Sequence, residues 1–429
     1  MTLSRRAVLA GSAAVVGAGQ ARAQSKPDRL VYVGDNGPWH ACLQQEVAPA
    51  FEKQTGIKVD FSFLPGDALT ARLKGELSAG STSIDIIQWN PNMAGWIAPH
   101  MQDHAKLLKA SFAAPDFDWA DFLPAVQAMA TYDGKLAGIP YRVITDIIFY
   151  QKPVLAASGF DKPPESFAQF LAAAQACTKA GAPHRYGTGF IARQGPAILD
   201  PFTPFLRSAG GDFYDPKTGE IFINKAPGVE ALDFYGGLMS KYHVMNPDSL
   251  TWEFDGVISG GQNDQFAMCV TIAPYGEPMN DPKLSKTAGN WAFAPVPGKD
   301  SIAQSRTHQG GWMLGVPEGT KNTEWAFAFI QLAASKQWLR RSIDLANCPP
   351  RDSVLRDPSV LAKHPWAPVM AETLKTATLD PRDPMWGAAQ LPLRLAVSQV
   401  LLGQKNAQQA MDEVARQWQR IFRNAGLKG

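Results

Sequence analysis

Residues 143–150, VITDIIFY, place an apolar, β-branched and aromatic run in the first half of the chain, and such a run reads as a buried strand rather than an amphipathic helix. Before it stands the turn-like Gly138-Ile139-Pro140-Tyr141, and after it Lys152-Pro153. Pro163-Pro164 follows, with Ser166 placed to cap a helix from Phe167 onward. The segment 134–175 is therefore strand, short loop, helix, and the other segments must be fitted around it.

Residues 29–97 alternate in the same way. Leu30-Val31-Tyr32-Val33 is a strand, 41–54 a helix with apolar residues at Leu43, Val47, Ala50 and Phe51, 57–63 a strand, 68–78 a helix, and Ile84-Asp85-Ile86-Ile87 a short buried strand. Alternating β and α units imply a parallel sheet covered on both faces, and ligands of such sheets sit at the carboxyl ends of the strands. Three loops fall there. They carry Asp35, Asn36, Trp39 and His40, then Asp67, then Trp89, Asn90 and Asn92. Aromatic faces beside carboxylates and amides suit a sugar, whose C–H faces stack and whose hydroxyls donate and accept. For any one of them the alternative is a core tryptophan or a helix-capping Asp or Asn; recurrence at three strand ends favours a site.

Further on, 186–191 reads as a strand, 202–209 as helical, 226–242 as a helix, 252–264 as a polar Gly-rich stretch, and 266–272 as a buried strand ending at Ala273-Pro274-Tyr275-Gly276. Residues 307–335 form a strand, turn and helix around HQGGWMLGV, with the helix at 322–335; Gly310 and Gly311 permit close backbone approach to a ligand and Trp312 can wall it, the alternative being a bulge with a core tryptophan. Pro349-Pro350 holds Arg351 in a rigid turn, where its guanidinium can clamp hydroxyls or an anion, or hold a carboxylate. Helices are expected at 359–376, 386–402 and 407–424.

The first residues are read as separate from the fold. Ser4-Arg5-Arg6-Ala7-Val8-Leu9 is a twin-arginine pattern, an apolar stretch runs to about Gly19, and Ala21-Arg22-Ala23 is an A-x-A cleavage site. A signal cleaved after Ala23 and a periplasmic product without membrane insertion are expected. Cleavage removes Arg5, Arg6 and Arg22 and no acid from a total of 41 basic and 39 acidic side chains, so the mature chain is near neutral and offers no electrostatic case for nucleic acid or an anionic membrane. Its roughly 400 residues exceed what one core usually organises, so two domains are expected. Cys42, Cys177, Cys269 and Cys348 show no metal-ligand spacing, and their disulfide state is open. No P-loop or G-x-S-x-G elbow is present. Gly187-Thr188-Gly189-Phe190-Ile191-Ala192 matches a dinucleotide fingerprint, but Pro196 follows where a helix is needed. His100 and His104 have metal-compatible spacing and are read as a solvated segment. No metal or cofactor is expected.

GIPY with the following YQK and GFDKPPESF, together with FEKQTGIKV, DIIQWNPN and WAFAPVP, resembles the carbohydrate-type extracellular solute-binding proteins of ABC importers, relatives of maltose-binding protein. The resemblance implies an α/β, two-lobed periplasmic-binding-protein fold of type II with three hinge crossings, near Val143, Val296 and Leu345. It implies lobes made of 24–143 plus 297–345 and of 144–296 plus 346–429. By position, Asp35 and Trp89 fall where that family contacts sugar, Tyr275 where an aromatic points into the cleft, and Trp386 where an aromatic stacks on sugar. Thr145 and Asp146, just past the first crossing, are expected where the lobes meet the ligand. A sugar, glycoside or polyol and an importer permease are the implied partners of a monomer, with anionic sugars kept open by Arg142, Arg193 and Arg351. The competing class is a periplasmic carbohydrate-active enzyme, which needs paired carboxylates; Asp35, Asp67 and Asp146 are available.

Overall fold

The computed structural model describes residues 26–427 except 82 and 346, and only the backbone of Pro38 and Asp67. The expected export signal lies outside the described residues. Among the described residues ten strands form in chain order: β1 Arg29–Asp35, β2 Lys58–Leu64, β3 Ile86–Trp89, the small hairpin β4 Thr131–Tyr132 and β5 Lys135–Leu136, β6 Ile139–Gln151, β7 Tyr186–Thr188, β8 Phe266–Ile272, β9 Trp291–Ala294 and β10 Gln309–Gly315. All but the hairpin join one sheet in the order β2-β1-β3-β10-β6-β8-β7, with β9 also on β6.

The apolar run that dominates the sequence is the strand on which this sheet turns. Residues 139–145 of β6 pair antiparallel with β10, and residues 146–151 with β8 and β9. One strand thus serves two lobes, and its partners change between Thr145, opposite Gln309, and Asp146, opposite Ile272. The observed strand starts earlier than the sequence suggests, because the expected turn at Ile139-Pro140 is itself paired with β10. Pro140 brings no N–H to that ladder, and the register shifts between Trp312 and Met313 opposite it.

β1, β2 and β3 are parallel, as the alternation of residues 29–97 implies. Leu30, Tyr32, Val33, Ile86 and Ile87 of this region share a core with Leu43, Val47 and Phe51. A second core gathers Phe170, Ala174 and Cys177 of the helix Phe167–Gly181, capped by Ser166 Oγ accepting from Gln169 N–H at 3.3 Å, with Phe205, Tyr235, Met268, Leu393 and Trp418. The stretch read as polar and Gly-rich contains the helix Phe254–Gln262. The helix expected at 359–376 is instead two short ones, Pro358–Leu361 and Ala367–Thr373, because Pro365 and Pro368 interrupt the backbone ladder.

Later segments touch both sides of the sheet. The Lys299 N–H donates to the Ser208 carbonyl and the Arg306 N–H to Ser208 Oγ, before His308 bridges to Thr378 and β10 begins. The Arg382 guanidinium donates to the carbonyls of Ala128, Met129 and Thr131. Trp366 Nε1 donates to Glu277, while Val143 N–H donates to the Cys348 carbonyl. Among the described residues no helix is long and apolar enough to cross a membrane.

His104 overturns its reading as a solvated residue. It is fully buried, Nδ1 donating to the Gln102 carbonyl at 2.8 Å and Nε2 accepting from Val316 N–H at 3.1 Å. Burial lowers its pKa to about 4, so the ring is a neutral core group. Gly187 packs against the Ala174 carbonyl, where a Cβ would lie 2.1 Å away; helix packing, not a dinucleotide, accounts for it. All four cysteines are buried and unpaired.

Candidate functional site in the cleft between the lobes

Two cavities, of about 550 and 160 Å³, share Asn90, Asn92, Asp200 and Asp380 as lining residues and together form a cleft. The first lobe supplies Asp35 from the end of β1, Lys74 and Trp96, and the other wall supplies Phe254, Trp386 and Arg394. The floor of the smaller cavity is the start of β10, His308 to Trp312, with Ile144 of β6.

Several expected residues meet here. Asp35 N–H donates to Gln88 Oε1 at 3.0 Å, and its Oδ1 accepts from Asn36 N–H at 2.8 Å. Burial raises the Asp35 pKa; the Asn36 N–H and the neighbouring Trp312 indole oppose the rise. Asn90 caps a turn, accepting from Asn92 N–H at 3.1 Å, while lining both cavities, so the capping and cleft readings hold together. Trp39 leans on Trp312 with ring centroids 5.1 Å apart, and the Arg142 guanidinium lies 4.3 Å from the Trp39 centroid and 5.4 Å from that of Trp312. That cation–π stack braces Trp312 at the cavity wall. Trp386 is 2 % exposed; it lines the larger cavity and packs on Phe213 at 4.8 Å.

Gly310 and Gly311 line the smaller cavity. The backbone requirement at Gly311 comes from the protein itself: φ is +152°, and a Cβ would sit 2.2 Å from the Arg142 carbonyl oxygen. Thr145 Oγ1 donates to the His308 carbonyl at 3.0 Å, tying β6 to the start of β10. Asp146, 1 % exposed, is 3.0 Å from His308 Nδ1.

Other expected residues stand elsewhere. Trp89 is fully buried at the end of a strand covered on both faces, its indole nitrogen near Gly138 and Gly315; it is core, not a stacking platform. His40 is stacked on Phe63 at 4.2 Å with Nε2 on the Asp35 carbonyl at 2.7 Å, and burial lowers its pKa to about 4. It shapes the loop rather than facing the cavities. Tyr275 stands edge-on to Phe254 at 5.4 Å, and Phe254 is the ring that lines the cavity. Arg351 is 1 % exposed and donates to the carbonyls of Ala334, Asp118 and Phe117 and to Asp121 at 3.1 Å. It borders a separate cavity of about 580 Å³ with Phe51, Phe112 and Gln331; its guanidinium is spent on a structural clamp. Arg193 pairs at the surface with Glu253 at 3.7 Å. The side chain of Asp67 is outside the described residues.

Sequence reasoning missed the electrostatic centre. Burial alone would lower the His308 pKa, but Asp146, then Asp380 and Asp200, raise it to about 10, so the imidazole is protonated. Burial raises Asp200 to about 7, His308 opposing and Asp146 and Asp380 adding to it. Asp380 is raised for the same reason, and its Oδ1 is buried without a hydrogen bond. The motif HQGGWMLGV contained His308, and Asp200-Pro201 and Asp380-Pro381 were turn signals. Among the described residues no group of three or more His, Cys, Asp or Glu is placed to hold a metal.

One sheet shared by two lobes, with a lined cleft where its partners change, defines the two-lobed periplasmic-binding-protein fold. Residues 41–339 match the family of bacterial extracellular solute-binding proteins, and the chain belongs to that family. It is similar to the maltose-bound MalE3 of T. maritima, with a TM-score of 0.79 at 21 % identity over 92 % of this chain and 99 % of that one. A solute-binding protein of Agrobacterium radiobacter in complex with ribitol gives 0.79 at 22 % identity, covering 92 % and 98 %. In sequence, a probable amino-acid ABC transporter periplasmic-binding protein of Sinorhizobium fredii is 24 % identical over 336 residues, 77 % of this chain and 74 % of the relative.

Proposed function

We propose that this protein captures a sugar, glycoside or polyol in the cleft between its lobes and delivers it to an ABC importer. The observation that carries this reading is the pairing, in one cleft, of the aromatic rings Trp96, Phe254, Trp312 and Trp386 with the carboxylates Asp200 and Asp380 and the amides Asn90 and Asn92. Rings stack on C–H faces, and the polar groups bond hydroxyls. The maltose and ribitol held by the structural neighbours support the ligand class; the amino-acid transporter named for the sequence relative is the competing one. A thermal-shift screen decides between them, since a ligand at 100 times its Kd stabilises by about 2.7 kcal/mol. Shifts with amino acids and none with sugars, sugar acids or polyols overturn the reading.

In this proposal the protein binds without turnover, acts as a monomer, and reaches the periplasm through a twin-arginine signal cleaved after Ala23. The lobes, 24–143 plus 297–345 and 144–296 plus 346–429, close over the ligand by rotation at the crossing segments. Solution scattering is expected to give a smaller radius of gyration with ligand than without; an unchanged radius at saturation removes closure. Asp200, with its raised pKa beside Asp380, also suits the acid of a glycosidase. Incubation of the ligand found in the screen, with product analysis, tests that second reading.

A further inference from the structure

We propose that the cleft selects a polyhydroxylated ligand carrying a protonated amine, an amino sugar or amino polyol, with Asp200 and Asp380 as the charge partners of the ammonium group. The inference rests on the sugar-and-polyol reading and adds the charge of the ligand.

Four carboxylates line the joined cavities: Asp35, Asp200, Asp380 and Asp383. Asp383 is satisfied, accepting from Tyr214 Oη at 2.8 Å and from Met385 N–H at 2.9 Å. Asp35 accepts from Asn36 N–H. Asp380 Oδ1 is buried with no hydrogen bond, and the causes acting on Asp200 are burial and charge, with no hydrogen bond among them. Behind them Asp146, 1 % exposed, keeps a second oxygen, Oδ1, without a hydrogen bond.

The cations offset only part of this excess. His308 faces Asp146 at 3.0 Å, and that pair is neutral as a unit. Arg394 opposes the Asp200 charge while donating to Gln390, Arg207 opposes that of Asp380 while paired with Asp212, and Lys74 is exposed at the mouth, 5.2 Å from the Trp96 centroid; the four lining carboxylates thus face two lining cations, Lys74 and Arg394, beside the His308 pair. Arg142 is buried against Trp39 and Trp312, and Arg351 and Arg193, kept open for anionic sugars, are paired outside the cleft. A sugar acid would add a carboxylate to carboxylates. A neutral sugar would supply hydrogen bonds and leave the charge excess unrelieved. An ammonium group brings three donors and further positive charge, and aromatic walls favour a cation too. Burial first, and then the neighbouring carboxylates, displace the Asp200 and Asp380 pKa values upward, with His308 and the arginines opposing only in part.

The test is titration calorimetry on the mature chain near neutral pH with matched probes: D-glucosamine against D-glucose, 1-amino-1-deoxy-D-sorbitol against D-sorbitol, and D-glucuronate as the acid. At least one amine is expected to bind more than about tenfold tighter than its neutral counterpart, with the acid giving no heat. Two buffers of different ionisation enthalpy should reveal proton release on amine binding, as Asp200 ionises. Asp200→Asn and Asp380→Asn are expected to bring the amine and neutral affinities together without lowering Tm, because each removes a crowded charge. Neutral probes binding as tightly as their amines, or a preference that survives the double variant, overturn the charge selection and leave the sugar-and-polyol reading intact. A panel in which no probe binds overturns the amine selection, and the thermal-shift screen alone then decides the sugar-and-polyol reading.

Discussion

Replacing Asp146 by Asn tests the electrostatic account of the cleft floor. The side chain keeps its size and loses the charge that faces His308 at 3.0 Å. His308 has its pKa raised from 6.5 to about 10 against the opposing effect of burial; at about 1.4 kcal/mol per pH unit, the carboxylates net of burial favour the folded imidazolium by about 5 kcal/mol. Asp146 is the first of them and the one in contact, but its removal also relieves its repulsion of Asp200 and Asp380. The expected loss is about 2–3 kcal/mol, at or below the low end of what breaking a buried pair costs. A pKa raised above the unfolded value gives stability that is complete below pH 6.5 and lost as pH climbs through about 10. Urea unfolding should therefore show wild type and variant far apart below pH 6.5 and converging towards pH 10, with the His308 ring titrating lower in the variant by NMR. A variant as stable as wild type below pH 6.5, with His308 titrating unchanged, would refute the reasoning.

Asp200 has the opposite sign of linkage: with its pKa raised from 3.8 to about 7, its ionisation costs stability as pH rises from about 4 through 7. Asp200→Asn is expected to gain about 1–2 kcal/mol above pH 7, the figure discounted for water in the cleft, and nothing below pH 4, as read by unfolding at both ends. Gly311→Ala, with φ of +152° and the Arg142 carbonyl 2.2 Å from its Cβ, should cost about 2–4 kcal/mol in unfolding experiments whether or not ligand is present. Trp312→Ala should weaken binding by about 1–3 kcal/mol, whereas Trp89→Ala, which empties the core, should cost about 3–5 kcal/mol of stability; equal affinity losses in the two would contradict their placement.

The strand-and-helix order was legible because it rests on local chemistry. The β-branched run, the Ser166 cap and the alternation of residues 29–97 each report on nearest neighbours, and each became the element expected. Where context decides, sequence reading failed. Nothing around Ile139-Pro140 shows that β10 will pair there, since β10 lies far along the chain and bends at Met313 to accept a residue without an N–H. His104 looked solvated because its partners, the Val316 N–H above all, come from a distant segment.

The cleft divides along the same line. Asp35, Asn90 and Trp312 were found because strand ends and Gly-rich turns mark a sheet edge locally. Trp89 is expected in the cleft from its strand end and from the resemblance, but β3 lies between β1 and β10 and is covered on both faces, which no local signal shows. His308, Asp146, Asp200 and Asp380 come from four separated segments, and a carboxylate written beside proline carries no sign of the carboxylate it will face. Their coupling nevertheless follows from one topological fact. The sheet changes partners at Asp146, β10 begins beside His308, and Thr378 is bridged to His308 just before Asp380, so the residues that must pass between the lobes are brought to one place. Charges gathered there are buried where the sheet changes partners, which is why the pKa values of His308, Asp200 and Asp380 are displaced.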